Sequence, residues 1–253
     1  MQRRHHRRSP TSRAKGGRGL ISQRFRRQRG VDSTASLRAM LRDGDTPGDA
    51  ALAVPLIGDG ELTRIAPSEA FAAVPTEDLD QGDRINFGVA SIIGRLPAAA
   101  EALGGLTGAL RTNGTLSPRL LELVRLRIAF FNQCRSCIAV RYQSAIDDGL
   151  DESAVCSLER PTDAENLSAA ERSALRFAEL FATNHLAIDD AVYNDLREHF
   201  SEDELVELGL HCAIALGVGR LSATWDVSED LPEANGSSER VAPWNAASVV
   251  ASG

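Results

Sequence analysis

Apolar residues recur at helical spacing from about residue 64 onward, and no stretch alternates apolar and polar positions long enough to predict a strand. The densest stretch covers residues 122–141 and reads ELVRLRIAFFNQCRSCIAVR. Its apolar positions lie on both sides of a C-x-x-C pair, which predicts that buried helices flank the two cysteines. The thiols are therefore expected inside a folded core.

Start and stop signals divide the rest of this region into helices. Ser117-Pro118 provides an N-cap and a proline at the first helical position of a helix that ends near residue 131. Ser168 with Glu171, and Ser201 with Glu204, match the capping box. The sequence predicts an all-α domain of about seven helices over residues 64–227, with a central buried last helix. Further predicted helices cover residues 84–95, 98–110, 152–158, 189–200 and 205–221.

The flanks of this domain differ in composition. Residues 1–63 are predicted to be a disordered basic tail and linker, and residues 228–253 a disordered tail. Residues 1–30 carry 11 of the 28 Lys and Arg and no acid, so the remainder has a net charge of −18. Such an acidic remainder argues against non-specific nucleic-acid binding. A nucleic-acid or membrane-surface arm, a transit peptide, and upstream sequence read from a wrong start are the alternatives for the basic stretch.

Composition narrows the protein class. No run of about 18 apolar residues that could span a membrane is visible, and neither is a signal peptide. Four cysteines in 253 residues are too sparse for a disulfide-rich secreted scaffold. A cytoplasmic location is therefore expected, where a C-x-x-C is more often catalytic or metal-binding than structural.

The predicted placement of the cysteines has chemical consequences. With Asn132 as the N-cap of a second helix, Cys134 lies in its first turn, Cys137 one turn deeper, and Arg141 on the same face at i+4. A helix N-terminus and a nearby guanidinium both favour thiolate over thiol. The sequence thus predicts a redox-capable C-x-x-C at a helix N-terminus.

Plainer interpretations of these residues remain. The cysteines could be two small buried hydrophobes, and Glu122 a solvated or ion-paired helix residue. The pair could also bind zinc with His185, His199 and His211, but these histidines lie on distant predicted helices, whereas a structural site needs four ligands. His211 can equally be a core histidine.

The spacing of these residues resembles a known family. Glu122, then Cys134 twelve positions on, then Cys137 and a polar residue four positions later, is similar to the pattern of the AhpD-like alkylhydroperoxidases within the carboxymuconolactone decarboxylase superfamily. The resemblance covers about residues 64–227. It implies an all-helical domain that assembles into homotrimers or hexamers. The flanking layout is also similar at Arg64-Ile65, at the helix before Pro97, at Ser117-Pro118 and at Arg220.

The resemblance also implies a reaction that needs neither a metal nor an organic cofactor. Cys137 would attack a hydroperoxide and become a sulfenic acid, Cys134 would resolve it to a disulfide, and Glu122 would belong to a proton relay. A thiol or dithiol reductant, lipoyl- or thioredoxin-like, would then regenerate the pair. The expected function is a thiol-dependent peroxidase.

The chain departs from the family pattern at two positions. Arg141 stands where the family usually has histidine, and Ser136 stands where better-studied peroxidases have another. Arginine can stabilise a thiolate but cannot pass protons as imidazole does. Glu122 with water, or His211 from the last helix, are the candidates to replace the relay.

Two other functions are compatible with the same fold. One is a decarboxylase or other lactone-processing enzyme, although members with that activity generally lack the C-x-x-C. The other is a non-catalytic oligomeric scaffold in which the arginine replacement has removed activity.

Overall fold

The computed structural model describes residues 63–72, 74–227, 230–232, 235 and 240–252. Apart from Thr63, the predicted basic tail and linker lie outside the described residues. The described part has ten α-helices and one two-stranded sheet, which confirms the all-α fold. The elements are α1 (Glu69–Ala72), α2 (Gln81–Ile93), α3 (Pro97–Asn113), α4 (Pro118–Asn132), α5 (Arg135–Ala139), β1 (Val140–Tyr142), α6 (Gln143–Asp147), α7 (Glu152–Ser157), α8 (Ala169–Thr183), α9 (Asp190–Arg197), α10 (Glu202–Trp225) and β2 (Val249–Ala251), with 3₁₀ turns at Pro161–Asp163 and His185–Ala187.

The helix starts follow the predicted capping residues. The Ser117 side chain accepts a hydrogen bond from the Leu120 backbone N–H at 3.2 Å, and Pro118 occupies the first turn of α4. Both capping boxes form, at Ser168 before α8 and at Ser201 before α10. These starts depend on contacts within one turn of the chain, so the local sequence was sufficient to predict them.

Helix α4 lies at the centre of the domain and packs against α8 and α10. Its residues Leu123, Leu126 and Ile128 are fully buried. They belong to one apolar core that includes residues from α8, α9 and α10. Because α4 ends directly before the cysteines, this core fixes the position of the C-x-x-C.

Helix α10 was predicted to be buried all round, and the structure shows that only one side is. Leu205, Leu208 and Cys212 are buried against the core, whereas Val206 and Leu221 are 63% and 46% exposed.

Helix α10 is also long and apolar enough to cross a membrane, contrary to the expectation that no such stretch exists. Core helices of soluble proteins meet the same criterion, so length and composition assign no membrane here.

The predicted helix through the cysteines is interrupted. Gln133 adopts the left-handed conformation (φ 51°) and ends α4, so the next helix, α5, has only five residues. The residues Val140–Tyr142 then form strand β1. The helical pattern of residues 135–145 gave no sign of this strand, because its partner lies more than 100 residues downstream.

That partner belongs to the predicted disordered tail, and the prediction is wrong for residues 240–252. Strand β2 pairs in parallel with β1, with Val140 opposite Val249 and Tyr142 opposite Ala251. Ala251 is fully buried in a small cluster with Ile85 of α2. The polar composition of this region suggested disorder, but a few apolar residues and backbone hydrogen bonds are enough to dock it.

We predict that Gly82→Ala destabilises the protein, because the added methyl group would overlap the backbone of Val250 in β2. It would lie 2.6 Å from the Val250 carbonyl carbon and 2.8 Å from the Ala251 nitrogen. Overpacking of this kind costs about 1–3 kcal/mol. Urea unfolding measures the change in the free energy of unfolding.

Gly104→Ala is the matched control, since Gly104 is also helical but an added Cβ there would meet no atom of this chain within 4 Å. It should stabilise the protein by about 0.5–1 kcal/mol through helix propensity. Equal stability of the two variants would contradict the close contact of α2 with β2.

Candidate functional site

Cys134 and Cys137 are joined in a disulfide, with their Cα atoms 5.2 Å apart. Cys134 has no exposed surface, whereas Cys137 is partly exposed. The pair is therefore close enough to cycle between dithiol and disulfide. Of the two cysteines, only Cys137 is accessible from outside.

Cys134 itself, and not Asn132 as predicted, is the N-cap of α5. Its sulfur accepts a hydrogen bond from the Cys137 backbone N–H at 3.3 Å and lies 3.3 Å from the Ser136 hydroxyl oxygen. The two cysteines thus differ both in exposure and in the groups that surround each sulfur.

Asn132 ties the end of α4 to α10. Its amide donates to the carbonyls of Ala215 and Leu216 at 3.1 and 3.2 Å and accepts from Arg220 at 3.1 Å. Gly219 faces this amide, and a Cβ there would lie 2.6 Å from the Asn132 nitrogen and 3.7 Å from the Cys137 sulfur. The absence of a side chain at Gly219 allows α10 to lie directly against the Asn132 amide, next to the redox pair.

Glu122 is buried on α4 and forms a two-point ion pair with Arg125. The Arg125 Nε and Nη2 atoms each donate to one Glu122 oxygen at 2.6 Å. Arg125 also donates to the carbonyls of Cys137 and Val140, both at 2.7 Å. The ion pair therefore connects α4 to the backbone of the cysteine turn.

Sequence reasoning missed Arg125, although its position three residues after Glu122 is a helical ion-pair spacing. Burial acts to lower the pKa of Arg125, but the charge and hydrogen bonds of Glu122 outweigh it and raise the pKa above its ordinary value. Arg125 is thus a permanent cation. It lies between the predicted relay carboxylate and the cysteine backbone.

Arg141 does not share a face with Cys137 as predicted, because α5 ends at Ala139 and Arg141 lies in β1. Its side chain is buried and donates to the carbonyls of Ile138 (2.7 Å) and Pro243 (3.0 Å), and to Glu152 at 3.2 Å. Burial lowers the pKa of Arg141, with Glu152 acting in the opposite direction. Its catalytic role stays a prediction.

His211 lies elsewhere on α10, so the suggestion that it reaches the cysteines is wrong. It precedes Gly219 by eight residues, which is about 12 Å along a helix. Its Nε2 atom lies 4.0 Å from Glu207, whose carboxylate accepts the Thr115 backbone N–H at 2.8 Å. Burial lowers the pKa of His211 and the Glu207 charge opposes this.

The remaining cysteines and the predicted zinc ligands lie apart from the pair. Cys212 is fully buried, and burial raises the pKa of its thiol to about 12. Cys156 is exposed on α7. Across the described part of the chain, no three His, Cys, Asp or Glu side chains form a group that could hold a metal ion.

We predict that Arg125→Met destabilises the protein by about 3–5 kcal/mol, because it leaves the Glu122 carboxylate buried without its partner. Arg125→Lys should cost less, since it keeps the charge but not the two-point geometry. Denaturant unfolding gives both values.

Arg197→Ala provides the control, because its ion pair with Glu202 is exposed at the surface. It should leave the free energy of unfolding unchanged. An Arg125→Met variant as stable as Arg197→Ala would show that the buried pair does not hold the cysteine turn.

Comparison with known proteins identifies related sequences. The uncharacterized protein Rv2313c of Mycobacterium tuberculosis is 38% identical over 112 residues, which cover 44% of this chain and 39% of that protein. The uncharacterized protein YnjA of Escherichia coli is 26% identical over 140 residues, covering 55% of this chain and 75% of YnjA. The chain thus spans about two fifths of the mycobacterial relative.

Among solved structures, a variant of the debrominase Bmp8 in complex with 2,3,4-tribromopyrrole matches with a TM-score of 0.49 and 20% identity, over 64% of this chain and 89% of that one. A model of the carboxymuconolactone decarboxylase family matches residues 97–180. This segment contains Glu122, Arg125 and both cysteines, and it lies within the region where the resemblance was recognised. Over this segment, about a third of the chain, the sequence is similar to the carboxymuconolactone decarboxylase family, which belongs to the AhpD-like superfamily.

Proposed function

We propose that this protein is a thiol-dependent peroxidase that reduces hydroperoxides with the Cys134–Cys137 pair. The observation that carries the proposal is the disulfide between one buried and one partly exposed cysteine. A two-cysteine peroxidase needs an accessible sulfur for the substrate and a second sulfur within bonding distance. The pair supplies both.

Cys137 is the attacking residue in this proposal because it is the partly exposed residue of the pair. Its thiolate bonds to one peroxide oxygen, the O–O bond breaks, and the other oxygen leaves as an alcohol after taking a proton. The product at Cys137 is a sulfenic acid. Cys134 then bonds to the Cys137 sulfur, and water leaves as the disulfide forms.

Regeneration needs two electrons from a dithiol of the lipoyl or thioredoxin type. One reductant thiolate attacks Cys137, and Cys134 leaves with the electron pair of the broken disulfide bond. The Cys137 N–H and the Ser136 hydroxyl support this leaving thiolate. The second reductant thiol then breaks the mixed disulfide and releases reduced Cys137.

Glu122 and Arg125 position the attacking cysteine. Both oxygens of Glu122 contact Arg125, and Arg125 holds the Cys137 carbonyl. Arginine cannot transfer a proton at neutral pH, so the proton for the leaving alcohol reaches it through water at the exposed side of Cys137. Arg141 holds the backbone on the far side of α5 through Ile138.

The test is stopped-flow consumption of an organic hydroperoxide by the reduced protein with a dithiol present. Cys137→Ser should abolish turnover, and Cys134→Ser should accumulate a trappable sulfenic acid. Glu122→Gln should slow turnover, because the weaker contact with Arg125 loosens the cysteine turn. Intact mass after brief peroxide exposure should show the loss of two hydrogens.

Cys156→Ser is the matched control, since Cys156 is an exposed thiol outside the pair, and it should leave turnover unchanged. A wild-type rate no faster than that of free cysteine would exclude the peroxidase. Unreactive thiols in that experiment would instead support the scaffold alternative.

We also propose that the chain forms a homo-oligomer, a homotrimer or hexamer. Helix α3 has 17 residues and none is buried within this chain. The outer side of α10 exposes Val206, Leu210 and Leu221. Apolar helix faces of this kind are normally covered by a partner.

Light scattering of the native protein should give a mass above that of one chain. Leu210→Glu should lower that mass by placing charges in the interface. Leu186→Glu is the control, because Leu186 is 85% exposed and lies on neither helix. A monomeric wild type would contradict the proposal.

A further inference from the structure

Residues 240–246, which we call the cover, lie against the redox pair. Val241 is buried in an apolar cluster with Ala129 and Ile138, and both Cys137 and Ala246 pack against this cluster. The cover lies outside residues 97–180, where the family model matches. A segment beyond the family core therefore contributes to the surroundings of the exposed cysteine.

Residues on both sides of the C-x-x-C hold the cover in place. The Gln133 amide, directly before Cys134, donates to the Val241 carbonyl at 3.1 Å and accepts from the Val241 N–H at 3.0 Å. Arg141 donates to the Pro243 carbonyl at 3.0 Å. These bonds fix the cover's backbone relative to the cysteine turn.

Aromatic contacts hold the cover at its outer edge. The Trp244 ring lies 4.7 Å from the Phe130 ring, and the Arg240 guanidinium lies 4.6 Å from the centre of the same Phe130 ring. Phe130 belongs to the last turn of α4, just before the cysteines. Trp244 also packs against the main core, and its carbonyl lies 3.9 Å from the Cys156 sulfur of α7. The docking thus depends on a few contacts, several of them made to residues next to the redox pair.

The Cys137 sulfur is bounded on another side by α10. A Cβ at Gly219 would lie only 3.7 Å from this sulfur. The partly exposed Cys137 thus has α10 on one side and the apolar cluster of Val241 on another.

We propose that the cover is a size filter for Cys137 and that the Val241 side chain determines how large a molecule can reach the Cys137 sulfur. Small hydroperoxides reach the sulfur with the cover docked, and a bulky reductant reaches it only when the cover is displaced. The inference rests on the proposed function, because it assigns a selectivity to that same nucleophile. It makes Val241 and Gln133 specificity-determining residues outside the cysteine motif.

The experiment compares two alkylating reagents on the reduced full-length protein in a Cys156→Ser background. Iodoacetamide is the small reagent and a fluorescein maleimide the bulky one, and peptide mass mapping quantifies modification at Cys137. The variants are Val241→Ala, which keeps the backbone bonds to Gln133, and Gln133→Gly, which tolerates the left-handed conformation (φ 51°) but removes the amide.

Val241→Ala should raise the maleimide rate at Cys137 about tenfold, because the loss of two buried methyl groups weakens docking. Gln133→Gly should act in the same direction, and the iodoacetamide rate should change little in both variants. Val250→Ala is the control, since Val250 is 42% exposed and lies in β2 away from the cluster; it should match the parent protein.

Unchanged maleimide rates in both folded variants would overturn the filter, and so would equal increases for both reagents. No peroxide is used, so the outcome does not depend on peroxidase activity. A protein that fails the stopped-flow assay can still show size selection, and an active peroxidase can lack it.

Discussion

The buried ion pair of Glu122 and Arg125 is the interaction on which the redox centre depends. A charge inside a protein is tolerated only when it is paired and its remaining hydrogen-bond capacity is used. Arg125 meets this condition with two bonds to Glu122 and two to backbone carbonyls. Helix α5 has five residues and cannot be stable alone, so these bonds supply the rigidity that its length does not.

Close packing around the Cys134–Cys137 disulfide gives the two sulfurs different environments. Asn132 and Gly219 bring α10 against α4 next to the cysteines, and the missing side chain at Gly219 leaves space for the Asn132 amide. Cys134 is enclosed by the core, while Cys137 faces outward. A difference in access therefore arises between residues only three positions apart. That difference is what suits them to unequal roles in the proposed reaction.

Arg141 shows how this chain uses a position that resembles a histidine position of the family. The Arg141 guanidinium donates to the carbonyls of Ile138 and Pro243 and to the Glu152 carboxylate. It therefore links β1 to both α7 and the cover. A guanidinium suits this work because it is planar, stays charged and presents several donors at once. Arg141 thus anchors Pro243 of the cover beside the cysteines.

The sequence by itself determined the features that depend on near neighbours along the chain. The all-α class and the capped starts of α4, α8 and α10 were correctly predicted, because caps and helical periodicity act within one or two turns. The family was recognised from the spacing of Glu122, Cys134 and Cys137. Only the tertiary structure decided the break at Gln133, the strand at 140–142 and the docking of residues 240–252. Each needs a partner that is distant in sequence, such as Val249 for Val140 or Val241 for Gln133. Local patterns cannot reveal such contacts, since backbone pairing and burial depend on what the fold brings alongside.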